Sequence, residues 1–208
     1  MKLEVVQSLL TQYLDRGLYP LSSIDALSRY LCLIHKWNQT YNLTAITDPK
    51  KMVIYHLLDS LVINPYVTGK SIIDVGSGAG LPGIPLAIVF PDKRVTLLDS
   101  NSKKTRFLNQ VKLELNLKQV EVVHSRAESY QPALCFDLVV TRAFSSIHAM
   151  LCATKQLCCE DGKFLAMKGI YPAEELSALP DGFVVEAVHR LNVPDLEAER
   201  HLVCIKKG

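Results

Sequence analysis

The residues best placed to do chemistry lie between positions 72 and 99. Ile72-Ile73-Asp74-Val75 is a short, mostly apolar run that carries a carboxylate, and Gly76-Ser77-Gly78-Ala79-Gly80-Leu81-Pro82-Gly83 follows it directly. Glycine at every second position permits positive φ and lets a ligand lie against the main chain. A strand that passes through such a turn into a helix offers backbone N–H groups and a positive dipole end. Two ligand classes use that geometry, pyrophosphate dinucleotides and S-adenosylmethionine. Both spacings are present. Gly76-x-Gly78-x-Gly80 suits the methyl donor, and Gly78-x-Gly80-x-x-Gly83 matches the dinucleotide fingerprint.

Charge favours the first. If the strand ends near Val75, Asp74 lies close to the ligand. A carboxylate there repels a pyrophosphate and attracts the ammonium and sulfonium of S-adenosylmethionine. A unit-charge pair at ~4 Å is worth about 4 kcal/mol at an effective dielectric near ~20, before desolvation. Asp99 closes a second apolar run, Val95-Thr96-Leu97-Leu98, and is placed to take the hydroxyls of a ribose. Its plain alternative is to cap a helix starting near Ser102. Ala127-Glu128 follows a third such run and could read adenine. Arg142 follows a fourth, Leu138-Val139-Val140-Thr141. Either of the last two could instead be an ordinary surface residue, Glu128 as a cap and Arg142 in a surface ion pair.

These positions need a scaffold that brings strand ends together. Short apolar runs at 72–75, 95–98, 120–123, 138–140 and 164–167 suit strands buried on both faces. Helical stretches at 86–90, 102–115 and 147–157 separate them. The alternation predicts an α/β fold with a doubly wound, mostly parallel sheet. The tail differs: 183–191 and 201–206 are two strands with no room for a crossover helix between them, so they form an antiparallel C-terminal hairpin. Residues 1–65 read as an N-terminal helical extension packed on the core, and 66–208 as the ligand-binding domain. Leu3, Val6, Leu10, Tyr13 and Leu14 share one helical face, and Gly17 and Pro20 end that helix. Ser22-Ser23-Ile24-Asp25 reads as a capping signal for the next helix, and Asp48-Pro49 as the start of another.

Composition sets limits. A chain of 208 residues buries roughly 70% of its unfolded surface and needs no staple. A net charge of +2 permits a nucleic-acid partner without arguing for one. No apolar run approaches the ~20 residues of a membrane span, and the N-terminus lacks a secretory pattern. A cytoplasmic location follows as the expectation. The six cysteines form no CxxC pair, which argues against a metal site, and read as reduced, mostly buried thiols.

The long block Asp74-Val75-Gly76-Ser77-Gly78-Ala79-Gly80-Leu81-Pro82-Gly83-Ile84-Pro85 resembles the first motif of the glucose-inhibited division protein B family. That family comprises the small-subunit ribosomal RNA guanine-N7 methyltransferases. Further blocks resemble the family in order: Asn42-Leu43-Thr44, His56-Leu57-Leu58-Asp59-Ser60, Leu97-Leu98-Asp99-Ser100, Ser125-Arg126-Ala127-Glu128, Arg142-Ala143-Phe144, Lys168-Gly169 and Glu199-Arg200-His201-Leu202-Val203. The similarity spans nearly the whole chain. It implies a seven-stranded, Rossmann-like class I methyltransferase fold and S-adenosyl-L-methionine contacts at Gly76, Leu81, Ala127, Glu128 and Arg142. Asp99 joins them on the pocket reading above, and Asp74, Gly78 and Gly80 shape the turn. The implied acceptor is N7 of one guanine in the 530 loop of 16S rRNA, as free RNA or in the 30S subunit, with the chain acting as a monomer.

Guanine N7 has an in-plane lone pair and no proton, so no general base is required. His56, His124, His189 and His201 accordingly read as structural or solvent-facing. Lys103, Lys104 and Arg106 in a stretch without acids, together with Lys168 and Arg200 at strand ends, are the candidate RNA phosphate contacts. For the first three, a solvated helix face is the alternative. Phe144 is a weaker candidate for stacking on the target base. A dinucleotide-dependent oxidoreductase and a non-catalytic nucleoside-binding, ribosome-associated module are the competing readings.

Overall fold

The computed structural model describes residues 1–208 except Ala143, so the middle residue of the Arg142-Ala143-Phe144 block lies outside the described residues. Seven strands, β1 (Ser71–Val75), β2 (Arg94–Asp99), β3 (Val120–His124), β4 (Phe136–Thr141), β5 (Cys158–Lys168), β6 (Phe183–Arg190) and β7 (His201–Lys207), form one sheet in the order β3-β2-β1-β4-β5-β7-β6. β1, β2, β3, β4 and the first partner of the tail, β5, run parallel. β6 and β7 pair antiparallel, and β7 lies between β5 and β6. The sheet predicted from the apolar runs is therefore present, with its antiparallel tail.

Strand alternation divides the core. Ile72, Leu97, Leu138, Val140 and Leu165 face a layer made by α1 (Leu3–Tyr13), α2 (Leu21–Tyr41), α5 (Gly83–Val89) and α6 (Ser102–Glu114). Ile73, Val75, Leu98, Val139 and Phe164 face α7 (Ile147–Thr154) on the other side. Between α2 and β1, α3 (Pro49–Met52) continues through a π-helical segment, Val53–Leu58, into α4 (Asp59–Leu61). A short α8 (Ala173–Ser177) follows β5. No helix among the described residues is long and apolar enough to cross a membrane.

Some local expectations hold and others do not. Asp48 caps α3 through its side chain, which accepts the Lys51 amide at 2.9 Å, with Pro49 at the first helical position. The Ser22-Ser23 capping signal is not used: α2 begins at Leu21 and no side chain caps it. β5 starts six residues before its apolar run, because Cys158 already pairs with Phe136 across the backbone whatever the side chains are. The cysteine reading needs correction. Cys135 and Cys159 form a disulfide. They sit at the starts of neighbouring parallel strands, so strand pairing brings them together although their sequence spacing carries no signature. Of the remaining thiols, Cys158 and Cys204 are buried, Cys32 is half-buried and Cys152 is exposed.

Candidate active site

The glycine turn lies at the carboxyl end of β1 and is held from three sides. The Gly76 and Ser77 amides both donate to the Leu98 carbonyl, at 2.8 and 3.1 Å, which locks the turn to β2. The Gly78 amide donates to Asp99 Oδ2 at 2.8 Å. From the N-terminal layer, the fully buried Tyr30 hydroxyl donates to the Ala79 carbonyl at 2.6 Å. Gly78 has φ +60° and an open flank, where an added Cβ would meet nothing nearer than 3.8 Å. Backbone conformation demands glycine there, and the free flank leaves room for a ligand. At Gly83 the demand is steric, because a Cβ would fall 2.3 Å from Leu97 and 2.7 Å from the Asp74 carboxylate.

Two cavities meet at Gly76. The first, of about 310 Å³, lies over the ends of β1, β2 and β3 and is bordered by Leu98, Asp99, Lys104, Ala127, Glu128 and Phe144. The second, of about 230 Å³, is bordered by Thr44, His56, Gly78, Leu81 and Arg142. Every residue expected to contact the cofactor thus lies on one of these two cavities, with Gly76 on both. Within the first, Asp99 is nearly buried. Its Oδ1 accepts the Asn101 amide at 2.8 Å and Oδ2 accepts Gly78, so each oxygen keeps one lone pair in the plane for a further donor. The cap of α6 is not Asp99 but Asn101, whose side chain accepts the Lys103 amide. Ala127 is buried and Glu128 is exposed beside it.

Asp74 borders neither cavity, although its sequence position suggested a place beside the ligand. It shares a strand face with Ile72, so its side chain points under the turn, and it is fully buried. Oδ2 accepts the Gly83 amide at 2.9 Å, while Oδ1 has no partner among the described residues. Burial pushes its pKa from 3.8 up to about 7, opposed by the Gly83 amide and by Arg142. Asp74 therefore pins the start of α5 from beneath the turn, and burial weakens the charge on which its expected role relied.

The second cavity brings in residues whose roles the sequence did not reveal. Asp59, 4% exposed at its side chain, accepts Arg142 Nη1 on Oδ2 at 3.0 Å and Arg200 Nε on Oδ1 at 2.7 Å. One carboxylate from the N-terminal helices thus clamps two guanidiniums that come from the end of β4 and the start of β7. Its signal in the sequence was weak but real: an acid inside the apolar stretch 57–61 is costly unless it is paired. The π-helical segment just before it carries His56, whose Nε2 lies 3.0 Å from Thr44 Oγ1. Burial, and then the Arg142 charge, lower the His56 pKa to about 4, so the ring is neutral. His56 is structural in its contacts yet borders the cavity.

The candidate phosphate contacts separate into distinct environments. Lys103 and Arg106 are exposed on α6, and Lys104 is half-buried on the first cavity. Lys168 is already committed, to Glu175 at 2.8 Å and to the Ser145 carbonyl at 3.3 Å. Arg200 borders neither cavity; its Nε is on Asp59, its Nη1 on the Glu199 carbonyl, and its Nη2 is uncommitted among the described residues. Phe144 borders the first cavity and not the second, and it shares a narrow cleft with Arg142 and Lys168.

The fold recurs among solved methyltransferases of low sequence identity. Coclaurine N-methyltransferase, solved with N-methylheliamine and SAH, matches over 92% of this chain and 74% of its own, at TM-score 0.57 and 15% identity. TrmN from Thermus thermophilus matches over 72% of this chain and 47% of its own, at TM-score 0.54 and 16% identity. Sequence relatives are nearer. A ribosomal RNA small subunit methyltransferase G from Pseudomonas aeruginosa (strain LESB58) is 56% identical over 182 residues, covering 87% of this chain and 85% of the relative. One from Chromobacterium violaceum is 54% identical over 181 residues, covering 86% and 87%. The family model for rRNA small subunit methyltransferase G matches residues 23–203, and the chain belongs to that family.

Proposed function

We propose that the chain transfers a methyl group from S-adenosyl-L-methionine to N7 of a guanine in the 530 loop of 16S rRNA. Family membership makes it an rRNA methyltransferase and removes the dinucleotide reading. The observation that carries the site assignment is the junction at Gly76 of a cavity of about 310 Å³, bordered by Asp99, Ala127 and Glu128, with a second pocket bordered by Arg142. The residues present fit the donor. Asp99 offers lone pairs to ribose hydroxyls, Leu98, Ala127 and Phe144 offer apolar walls to adenine, and Glu128 stands at the open side for the exocyclic amine. Gly76, Gly78 and Leu81 would hold the amino-acid end, where the turn keeps its backbone bare. When bound, the donor supplies an electrophilic methyl on a sulfonium.

The chain's own groups then position and shield. Guanine N7 has no proton to lose, so the acceptor pocket needs no base, and the neutral His56 suits a wall beside a purine that gains positive charge. Asp59 offsets one of its two guanidiniums, leaving the Arg142–Asp59–Arg200 cluster with a single net positive charge for the RNA backbone. In this reading residues 1–65 are an extension that completes the site of the 66–208 domain, through Thr44, His56 and Asp59. Lys103, Lys104, Arg106 and Arg200 contact phosphates. Lys168, neutralised by Glu175, contributes chiefly by holding α8.

The test is transfer of labelled methyl to 30S subunits and to free 16S rRNA, both taken from cells lacking the protein, with the modified base mapped. Label at guanine N7 in the 530 loop is expected on at least one substrate. Full 7-methylguanosine at that site in RNA from the deficient cells would refute the assignment.

A further inference from the structure

β5 ends at Lys168, and the next three residues, Gly169-Ile170-Tyr171, serve none of the roles above. Ile170 is 75% exposed and Tyr171 54%. Two adjacent large apolar side chains in solvent are a surface feature that calls for a partner when they border a site. Their position is set by strand register. Lys168 pairs with His201 across β5 and β7, and Thr141 pairs with Ala166 across β4 and β5. The carboxyl ends of the strands therefore present Gly76, then Arg142, then the loop after Lys168, with Arg200 beside it. The loop lies against that guanidinium: a Cβ on Gly169 would be 4.0 Å from Arg200 Nη1. The Tyr171 ring meets the buried His201 imidazole edge-on, with centroids 5.6 Å apart and planes at 81°. The contact steadies the ring from one side, and more than half of Tyr171 stays open to solvent.

We infer that Tyr171 is a stacking platform for an unpaired nucleobase of the RNA, next to the guanine held beyond Arg142. Arg200 Nη2, uncommitted among the described residues, takes the adjoining phosphate, and Ile170 widens the apolar surface. The inference rests on the rRNA methyltransferase reading. Single-stranded RNA is gripped in this way because every base has a π-face, so stacking positions the strand without specifying its sequence, while a cation alongside tracks the backbone. Tyr171 is thus a substrate-binding residue that aligns the loop for transfer without touching the donor cavity.

The test compares wild type, Tyr171→Phe and Tyr171→Ala in methyl transfer to undermethylated 30S subunits and to free 16S rRNA, with donor affinity measured by calorimetry. Tyr171→Ala is expected to raise KM for the RNA substrate about tenfold or more. Tyr171→Phe should stay near wild type, and donor affinity should be unchanged in both. An active wild type with KM unaffected by Tyr171→Ala overturns the platform alone, as do equal losses in Phe and Ala, which would assign the effect to the hydroxyl. A wild type inactive on both substrates overturns the function reading and the platform with it. A fluorescence measurement makes the test independent of how well the alanine variant folds. The only native tryptophan, Trp37, stacks on Tyr41 within α2. The emission added by Tyr171→Trp should be quenched when the RNA substrate binds. Emission at that position indifferent to bound RNA refutes the inference.

Discussion

Replacing Asp59 by asparagine tests whether one buried carboxylate sets the geometry of the acceptor side. Asparagine keeps the shape and one acceptor oxygen, so Arg200 Nε can retain a hydrogen bond. Its amide nitrogen then faces Arg142 Nη1, donor against donor, and two guanidiniums lose their shared counter-charge. Removing one partner of a buried ion pair costs about 3–5 kcal/mol. Here the carboxylate is 4% exposed but Arg142 and Arg200 are 27% and 20% exposed at their side chains, so water screens part of the loss. About 2–3 kcal/mol remains as the expected destabilisation. At about 2–4 °C per kcal/mol for a chain of this length, that lowers Tm by about 4–12 °C in thermal unfolding. Methyl transfer should fall about a hundredfold, because displacement of positioning groups by ~1 Å has that effect. Donor affinity should fall less than methyl transfer does: Asp99 and Ala127 share no contact with Asp59, and only Arg142 among the expected donor contacts loses its anchor. A double-mutant cycle with Arg200→Gln isolates the clamp, with a coupling of about 1–3 kcal/mol in stability expected. Additive losses in that cycle, or an Asp59→Asn protein with wild-type Tm and turnover, would refute the reasoning.

Further outcomes follow from individual contacts. Asp99→Ala removes the acceptor for the Gly78 amide and the proposed ribose contact together, and should weaken S-adenosylhomocysteine binding by about tenfold or more in calorimetry; unchanged affinity would remove Asp99 from the site. Asp74 gives a pH signature. Its folded-state pKa is raised from 3.8 to about 7, so the stability it contributes is full below pH ~4 and is lost as pH rises through ~7, on the order of 4 kcal/mol in all. Asp74→Asn cannot ionise, so its Tm should gain on wild type steadily from pH 4 to pH 7 and then run parallel. Curves parallel throughout would show that the carboxyl titrates normally. Gly83→Ala should destabilise by about 1–3 kcal/mol, because its Cβ would overlap Leu97 and the Asp74 carboxylate and the start of α5 must shift. A chemical-denaturation midpoint equal to wild type would contradict that packing.

The scaffold was legible because its signals are local. Five apolar runs separated by helical stretches marked the five strands that pair in parallel. The tail's short connection dictated antiparallel pairing, and each expected cofactor residue lies at a strand end or in the turn that follows one, where a doubly wound sheet gathers ligands. Asp48-Pro49 could be read as a cap because capping involves neighbours in sequence. Local reading erred where a partner was distant. Cys135 and Cys159 seemed unpaired because only the β4–β5 register joins them. Asp74 was given a seat beside the ligand because its sequence position says which strand end it occupies. Which face it points to depends on where the strand starts and on which layer covers it.

The sequence by itself determined the fold class, the turn and the family. Glycines at fixed spacing, apolar periodicity and the order of short blocks are one-dimensional properties, written in neighbouring residues. The tertiary structure decided the electrostatics. Asp59, Arg142 and Arg200 come from an N-terminal helix, the end of β4 and the start of β7, and form a unit only when the chain folds. The same folding buries Asp74 and His56 and moves their pKa values to about 7 and about 4. Charge interactions depend on distance and desolvation, and neither quantity exists along the chain until packing brings remote segments together and excludes water from between them.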